Sequence, residues 1–75
     1  MDNTIQQATE KTLEDFKKLS ALDKYKECVH YGNFITYIDN KTTDGWLTLK
    51  TFEIYDTKFI FILLDGEVIN CYELQ

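Results

Sequence analysis

Lys58-Phe59-Ile60-Phe61-Ile62-Leu63-Leu64-Asp65-Gly66-Glu67-Val68-Ile69-Asn70-Cys71-Tyr72-Glu73-Leu74 is the stretch that decides the fold. Two runs rich in β-branched and aromatic residues flank Asp65-Gly66, and Asp-Gly between such runs is a strong signal for a two-residue hairpin turn, because glycine supplies the positive φ the turn needs. The spacing predicts strands over Lys58–Leu64 and Glu67–Leu74. The turn also sets a register, with Leu64 opposite Glu67, Leu63 opposite Val68, Ile62 opposite Ile69, Phe61 opposite Asn70, Ile60 opposite Cys71 and Phe59 opposite Tyr72.

Upstream, Trp46 to Tyr55 reads as a strand that turns through Asp56-Thr57 into the first of these runs, placing Ile54 opposite Phe59 and Phe52 opposite Phe61. Asn33 to Ile38 reads as a further strand, followed by a polar loop from Asp39 to Gly45. Alternation then sorts the side chains into two faces. Phe52, Ile54, Phe59, Phe61, Leu63, Val68, Tyr72 and Leu74 form one. Leu49, Thr51, Glu53, Ile60, Ile62, Leu64, Glu67, Ile69, Cys71 and Glu73 form the other, apolar at its centre and acidic at its margin.

Before Gly32 the period changes to that of a helix. Thr4-Ile5-Gln6-Gln7 has the form of a capping box, and Ile5, Ala8, Thr12, Phe16 and Leu19 follow on one stripe. Leu22, Tyr25 and Cys28 continue at strict threes, which on a straight helix of 3.6 residues per turn would rotate the stripe by about 60° per step. Ser20 followed by Asp23 is a second cap signal, so the chain is expected to break near Ser20 and resume from Ala21 to about Tyr31, closed by Gly32. A single bent helix is the alternative. The reading is an α+β fold: a helical part over 4–31, broken near Ser20 into two, packed on a four-stranded antiparallel meander over 33–74, in one domain spanning 1–75.

Composition narrows the functional classes. The 75 residues hold 13 Asp and Glu against eight Lys, with no Arg, for a formal net charge of -5. Arginine is the preferred donor for bidentate contacts with phosphate and guanine, so its absence beside an acidic balance argues against direct nucleic-acid binding, and against an anionic membrane surface. Residues 32–75 carry seven acids and three lysines, so most of the charge excess lies in the strand half. An acidic half attracts basic partners, although a charge of this size also serves solubility alone. No segment approaches a membrane span, and the N-terminus lacks the pattern of a signal peptide, so the expected location is cytoplasmic. Lysine without arginine, with many Ile, Tyr, Phe and Asn and no proline, resembles the usage of AT-rich genomes, including those of low-GC bacteria, phages and plasmids; a phage protein would act in the host cytoplasm.

No motif carries chemistry. Cys28, His30 and Cys71 are the soft metal ligands present, too few and too widely spaced for a zinc site. Both cysteines read as packing residues with free thiols. Ser20 is explained as a cap and His30 as a residue at the negative end of a helix. The segment from Asn40 to Gly45 partly matches a calcium loop, but Thr51 stands where the bidentate Glu belongs. Asn40-Lys41-Thr42 matches a glycosylation acceptor, which has no role in the cytoplasm. Trp46, beside Gly45, reads as cover for the core or as an interface anchor.

About thirty helical residues cannot cover both faces of a four-stranded sheet, and monomers seldom leave a large apolar patch in water. Either the second helix crosses to the second face, or that face is a functional surface. The interface candidates are Trp46, Leu49, Glu53, Ile60, Ile62, Leu64, Glu67, Ile69 and Glu73. The function expected is that of a small acidic, non-catalytic protein-interaction module, in its specific form a phage or mobile-element inhibitor or modulator of a host protein that handles nucleic acid. The alternative is a structural homodimer whose sheet faces pair; less favoured is a minimal enzyme or ligand-binding protein. No catalytic residues, metal or cofactor are expected.

Overall fold

The computed structural model describes residues 12–74. The capping box at Thr4, with Ile5 and Ala8, lies outside them. Residues 12–17 are helical (α1), followed by α2 at Ala21–Tyr31, β1 at Asn33–Thr42, β2 at Gly45–Ile54, β3 at Thr57–Leu64 and β4 at Glu67–Leu74. The strands form one antiparallel sheet in the order β1-β2-β3-β4, each paired with its neighbour in sequence. The fold is α+β, with helices followed by a four-stranded meander.

The expected break falls at Ser20, which excludes a single bent helix. Bonds from Lys18 N–H to the Asp15 carbonyl and from Leu19 N–H to the Phe16 carbonyl tighten the last turn of α1. Ser20 then caps α2, its Oγ accepting from Asp23 N–H at 3.2 Å. Gly32 ends the helix by donating its N–H to the Cys28 carbonyl at 2.9 Å.

Both helices pack on one face of the sheet. Phe16 of α1 meets Phe59 at 4.9 Å between ring centroids and Tyr55 at 5.8 Å. Tyr25 of α2 meets Phe61 at 5.3 Å and Phe52 at 5.7 Å. Phe16, Cys28, Phe52, Ile54, Phe59, Phe61 and Leu63 form the buried core, with Leu13, Tyr25, Tyr55, Val68 and Cys71 against it. Five of the eight side chains expected beneath the helices, Phe52, Ile54, Phe59, Phe61 and Leu63, are thus in the core.

Three details correct the sequence reading. First, the strand from Asn33 continues to Thr42, so most of the expected Asp39–Gly45 loop is strand; only residues 43–44 turn. Thr42 accounts for this closure: its hydroxyl donates to the Gly45 carbonyl at 2.7 Å and accepts from Asp44 N–H at 3.2 Å. Second, the turn between β2 and β3 is Tyr55-Asp56, one residue earlier than Asp56-Thr57, so Phe52 pairs with Phe59 and Ile54 with Thr57. Tyr55 and Asp56 both have positive φ, 53° and 57°, as a type I′ turn requires. Third, β4 contains a bulge. Leu64 pairs with Glu67 and Leu63 with Val68 as expected, but Ile62 pairs with Asn70, leaving Ile69 as the extra residue. Every later pairing moves by one, and a one-residue slip reverses the face of each side chain. Cys71 therefore turns inward against the core, while Tyr72 and Leu74, expected beneath the helices, are 52% and 41% exposed.

Candidate functional site: the outer sheet face

Register and alternation define what the helices leave open. Leu47 lies opposite Leu64, Leu49 opposite Ile62, Thr51 opposite Ile60 and Glu53 opposite Lys58, all directed away from α1 and α2. Ile38 extends this surface on β1 as the partner of Leu49, and Tyr72 extends it on β4 as the partner of Ile60. Leu47, Leu49, Ile60, Ile62 and Leu64 are half-buried, whereas Ile38 is 55% exposed. The second helix does not cross to this side, since Tyr25 of α2 seats on Phe52 and Phe61 of the opposite face. Among the described residues, no helix covers the outer face.

The candidates named from sequence fall into three groups. Leu49, Ile60, Ile62, Leu64, Glu53 and Glu67 share the outer face. Ile69 occupies the bulge and is 54% exposed. Trp46 and Glu73 belong to the helix side. Trp46 is paired with Lys41, whose ammonium lies 5.6 Å from the ring centroid, and at 51% exposure it is not cover for the core. Glu73, turned over by the bulge, forms an ion pair of 3.1 Å with Lys17 of α1. The acidic margin is therefore thinner than expected, with Glu53 facing Lys58 across the strands and Glu67 at the start of β4.

Ile38, Leu47 and Tyr72 were missed. Ile38 follows from alternation once β1 is continuous with β2, but the polar Asp39-Asn40-Lys41 run hid that continuity. Tyr72 depends on the bulge, where the Asn70 carboxamide accepts from Cys71 N–H at 2.9 Å and donates to the Tyr72 hydroxyl at 2.8 Å. An asparagine inside a strand-like run was the available signal, since that residue is depleted in strands and bonds readily to nearby backbone.

Two other features bear on chemistry. A shallow groove of about 350 Å³ on the helix side is lined by Phe34, Tyr37, Asp39, Thr48 and Lys50. Its polar groups already serve one another and the core: the Thr48 hydroxyl donates to Asp39, and the Lys50 ammonium donates to the Tyr25 hydroxyl at 3.0 Å. Burial, with added repulsion from Cys71 and Glu27, pushes the Cys28 thiol up to about 12 from 9.0, and burial also raises Cys71. Both remain protonated thiols near neutrality, which suits packing and not nucleophilic attack. Among the described residues no cluster of His, Cys, Asp and Glu could hold a metal ion, and no helix is long and apolar enough to cross a membrane. No family model, no curated protein and no solved structure matches this chain.

Proposed function

We propose that this protein is a non-catalytic binding module that docks a partner protein on its outer sheet face. One observation carries the reading: Ile38, Leu47, Leu49, Ile60, Ile62, Leu64 and Tyr72 share a face from which both described helices are absent. An apolar patch of this kind, held on a rigid sheet, marks an interaction surface more often than a solvated one. The net charge of -5 favours a basic partner, in the specific case a host protein whose basic site normally meets phosphate, with this chain acting as its inhibitor or modulator. Glu53 and Glu67 are the acids placed to contribute at the rim of the face. The second reading, two copies pairing by these same faces, is supported by the same apolar surface.

Ile62→Lys tests both. A lysine there remains solvated in the free protein but would be buried unpaired in either complex, costing several kcal/mol. The expected result is a folded protein by circular dichroism that no longer captures a partner retained by the wild type from host lysate, while Tyr37→Lys on the helix side retains it. A folded Ile62→Lys with unchanged capture overturns the docking reading. Solution mass separates the two forms, since face-to-face pairing would also be lost in Ile62→Lys.

A further inference from the structure

The sheet has two edges, and they differ. β4 is broken by the bulge at Ile69, but β1 is irregular only near its start, at Ile35, and then runs without interruption from Thr36 to Thr42. Every β1 side chain from Asn33 to Lys41 is exposed. An edge of this length offers unpaired N–H and C=O groups to another strand unless something blunts it, and the chain has no proline to do so.

Which backbone groups face outward follows from the ladder. Asp65 N–H donates to the Trp46 carbonyl at 2.8 Å, so Trp46, and by alternation Thr48 and Lys50, direct their backbone groups toward β3. Leu47, Leu49 and Thr51 then bond toward β1, to their partners Asn40, Ile38 and Thr36. Tyr37, Asp39 and Lys41 are left with their backbone N–H and C=O directed away from the sheet. Two of these three carry opposite charges, on one face, two residues apart.

We propose that β1 pairs with β1 of a second copy of this chain, antiparallel about a two-fold axis, with Asn40 facing Asn40 of the other copy. In that register Asp39 of each copy lies opposite Lys41 of the other, the two residues exchange main-chain hydrogen bonds, and two ion pairs form across the junction. Charge selects this register over its neighbours. Centring on Asp39 sets two carboxylates opposite each other, and centring on Lys41 sets two ammonium groups opposite each other, both unfavourable. Centring on Ile38 brings the bulged Ile35 against Lys41 and interrupts the ladder. A partner strand of unrelated sequence has no such built-in complement, whereas a second copy supplies it by symmetry. The result is a continuous eight-stranded sheet with the described helices of both copies on one side and the two outer faces joined on the other.

The proposal stands apart from the docking face and is tested by charge exchange. Solution mass over a concentration series should show a dimer for the wild type. Asp39→Lys and Lys41→Asp should each raise the dissociation constant on the order of tenfold or more, because each substitution sets like charges opposite one another. The double variant Asp39→Lys/Lys41→Asp should restore dimerisation, since it exchanges the signs and keeps the pairs. Ile62→Lys should leave this dimer intact, which separates failure here from failure of the docking reading. A wild type that stays monomeric up to its solubility limit overturns the proposal, and so does a dimer indifferent to both single reversals or not restored by the double. If circular dichroism shows that a reversal has cost the fold, Asn40→Cys decides instead. It should form an intermolecular disulfide with its own copy under mild oxidation, a bond that the wild type and Ile38→Cys do not form; failure to do so overturns the register.

Discussion

The hairpins on either side of β3 depart from the simplest reading of the sequence in different ways, with opposite consequences. Between β2 and β3 the turn is Tyr55-Asp56 instead of Asp56-Thr57. Moving a two-residue turn by one position shifts the pairing by two, and a shift of two preserves the face of every side chain. Phe52 exchanges one aromatic partner, Phe61, for another, Phe59, and stays in the core. Between β3 and β4 the turn is where it was expected, but one extra residue at Ile69 shifts the pairing by one and inverts the remainder of the strand. A misplaced turn costs little in such a meander, whereas an unseen bulge decides which residues form the core and which form the surface.

The largest effect is expected where adjacent residues fall on opposite faces of the sheet. Phe61 and Ile62 are neighbours assigned to opposite sides, Phe61 fully buried beneath Tyr25 and Phe52, Ile62 on the open face. Phe61→Ala should cost about 3–5 kcal/mol, a large part of the stability of a domain this small. Ile62→Ala should cost much less, because it leaves no enclosed cavity. Thermal unfolding of the two variants checks this, and a cooperative, near-wild-type melt for Phe61→Ala would show that the assigned faces are wrong.

The next effect in size concerns the turn that sets the register. Gly66 has φ 84° and follows Asp65 at φ 51°. Beyond Gly66 and its two chain neighbours, no atom lies within 4 Å of where a Cβ would sit, so crowding would not oppose a side chain there. Gly66→Val should still destabilise by roughly 1–3 kcal/mol, because a β-branched residue resists positive φ. Asp65 adds a constraint of its own, its carboxylate accepting from Trp46 N–H at 2.9 Å and tying this turn to the start of β2. A Gly66→Val protein melting within a degree or two of its parent would contradict this account of the turn.

How much was legible follows from the kinds of signal involved. The cap at Ser20, the helix from Ala21 to Tyr31, and the strand from Glu67 to Leu74 were readable because each rests on local chemistry: a side-chain oxygen near free amides, a glycine after the last helical residue, an Asp-Gly pair. The continuation of β1 through Asp39, Asn40 and Lys41 was not, because these residues favour loops by propensity and are held in the strand by pairing with Thr48, Leu47 and Trp46. The bulge had a local signal in Asn70, but one asparagine in a strand-like run does not by itself place an extra residue. Its support is the contact of the Asn70 carboxamide with Cys71 N–H, together with the Glu73 ion pair to Lys17, a residue more than fifty positions away. The outer face was legible at its centre, where Leu49, Ile60, Ile62 and Leu64 depend only on parity. It was misread at its margins, where Cys71, Tyr72, Glu73 and Leu74 lie beyond the bulge.

The smallest predicted effect sharpens the contrast between the two turns. Both place two residues at positive φ, but only the Asp65-Gly66 turn uses glycine at its second position, whereas Tyr55-Asp56 places two side-chain-bearing residues there. A left-handed conformation costs an L-residue roughly 1–2 kcal/mol, and Asp pays toward the lower end because its short polar side chain bonds locally. Tyr55 is retained by its packing: its ring meets Phe16 edge to face at 5.8 Å, so glycine at that position would relieve the backbone and open the core. Asp56 is exposed and makes no comparable core contact. Asp56→Gly should therefore remove the strain at the cost of about 0.5–1 kcal/mol of added unfolded-state entropy. The net gain expected is at most about 0.5 kcal/mol, raising the melting temperature by up to about 2–4 °C for a domain of this size. Differential scanning calorimetry checks the sign, and a lower melting temperature for Asp56→Gly would mean that the aspartate stabilises this turn through its side chain by more than its backbone conformation costs.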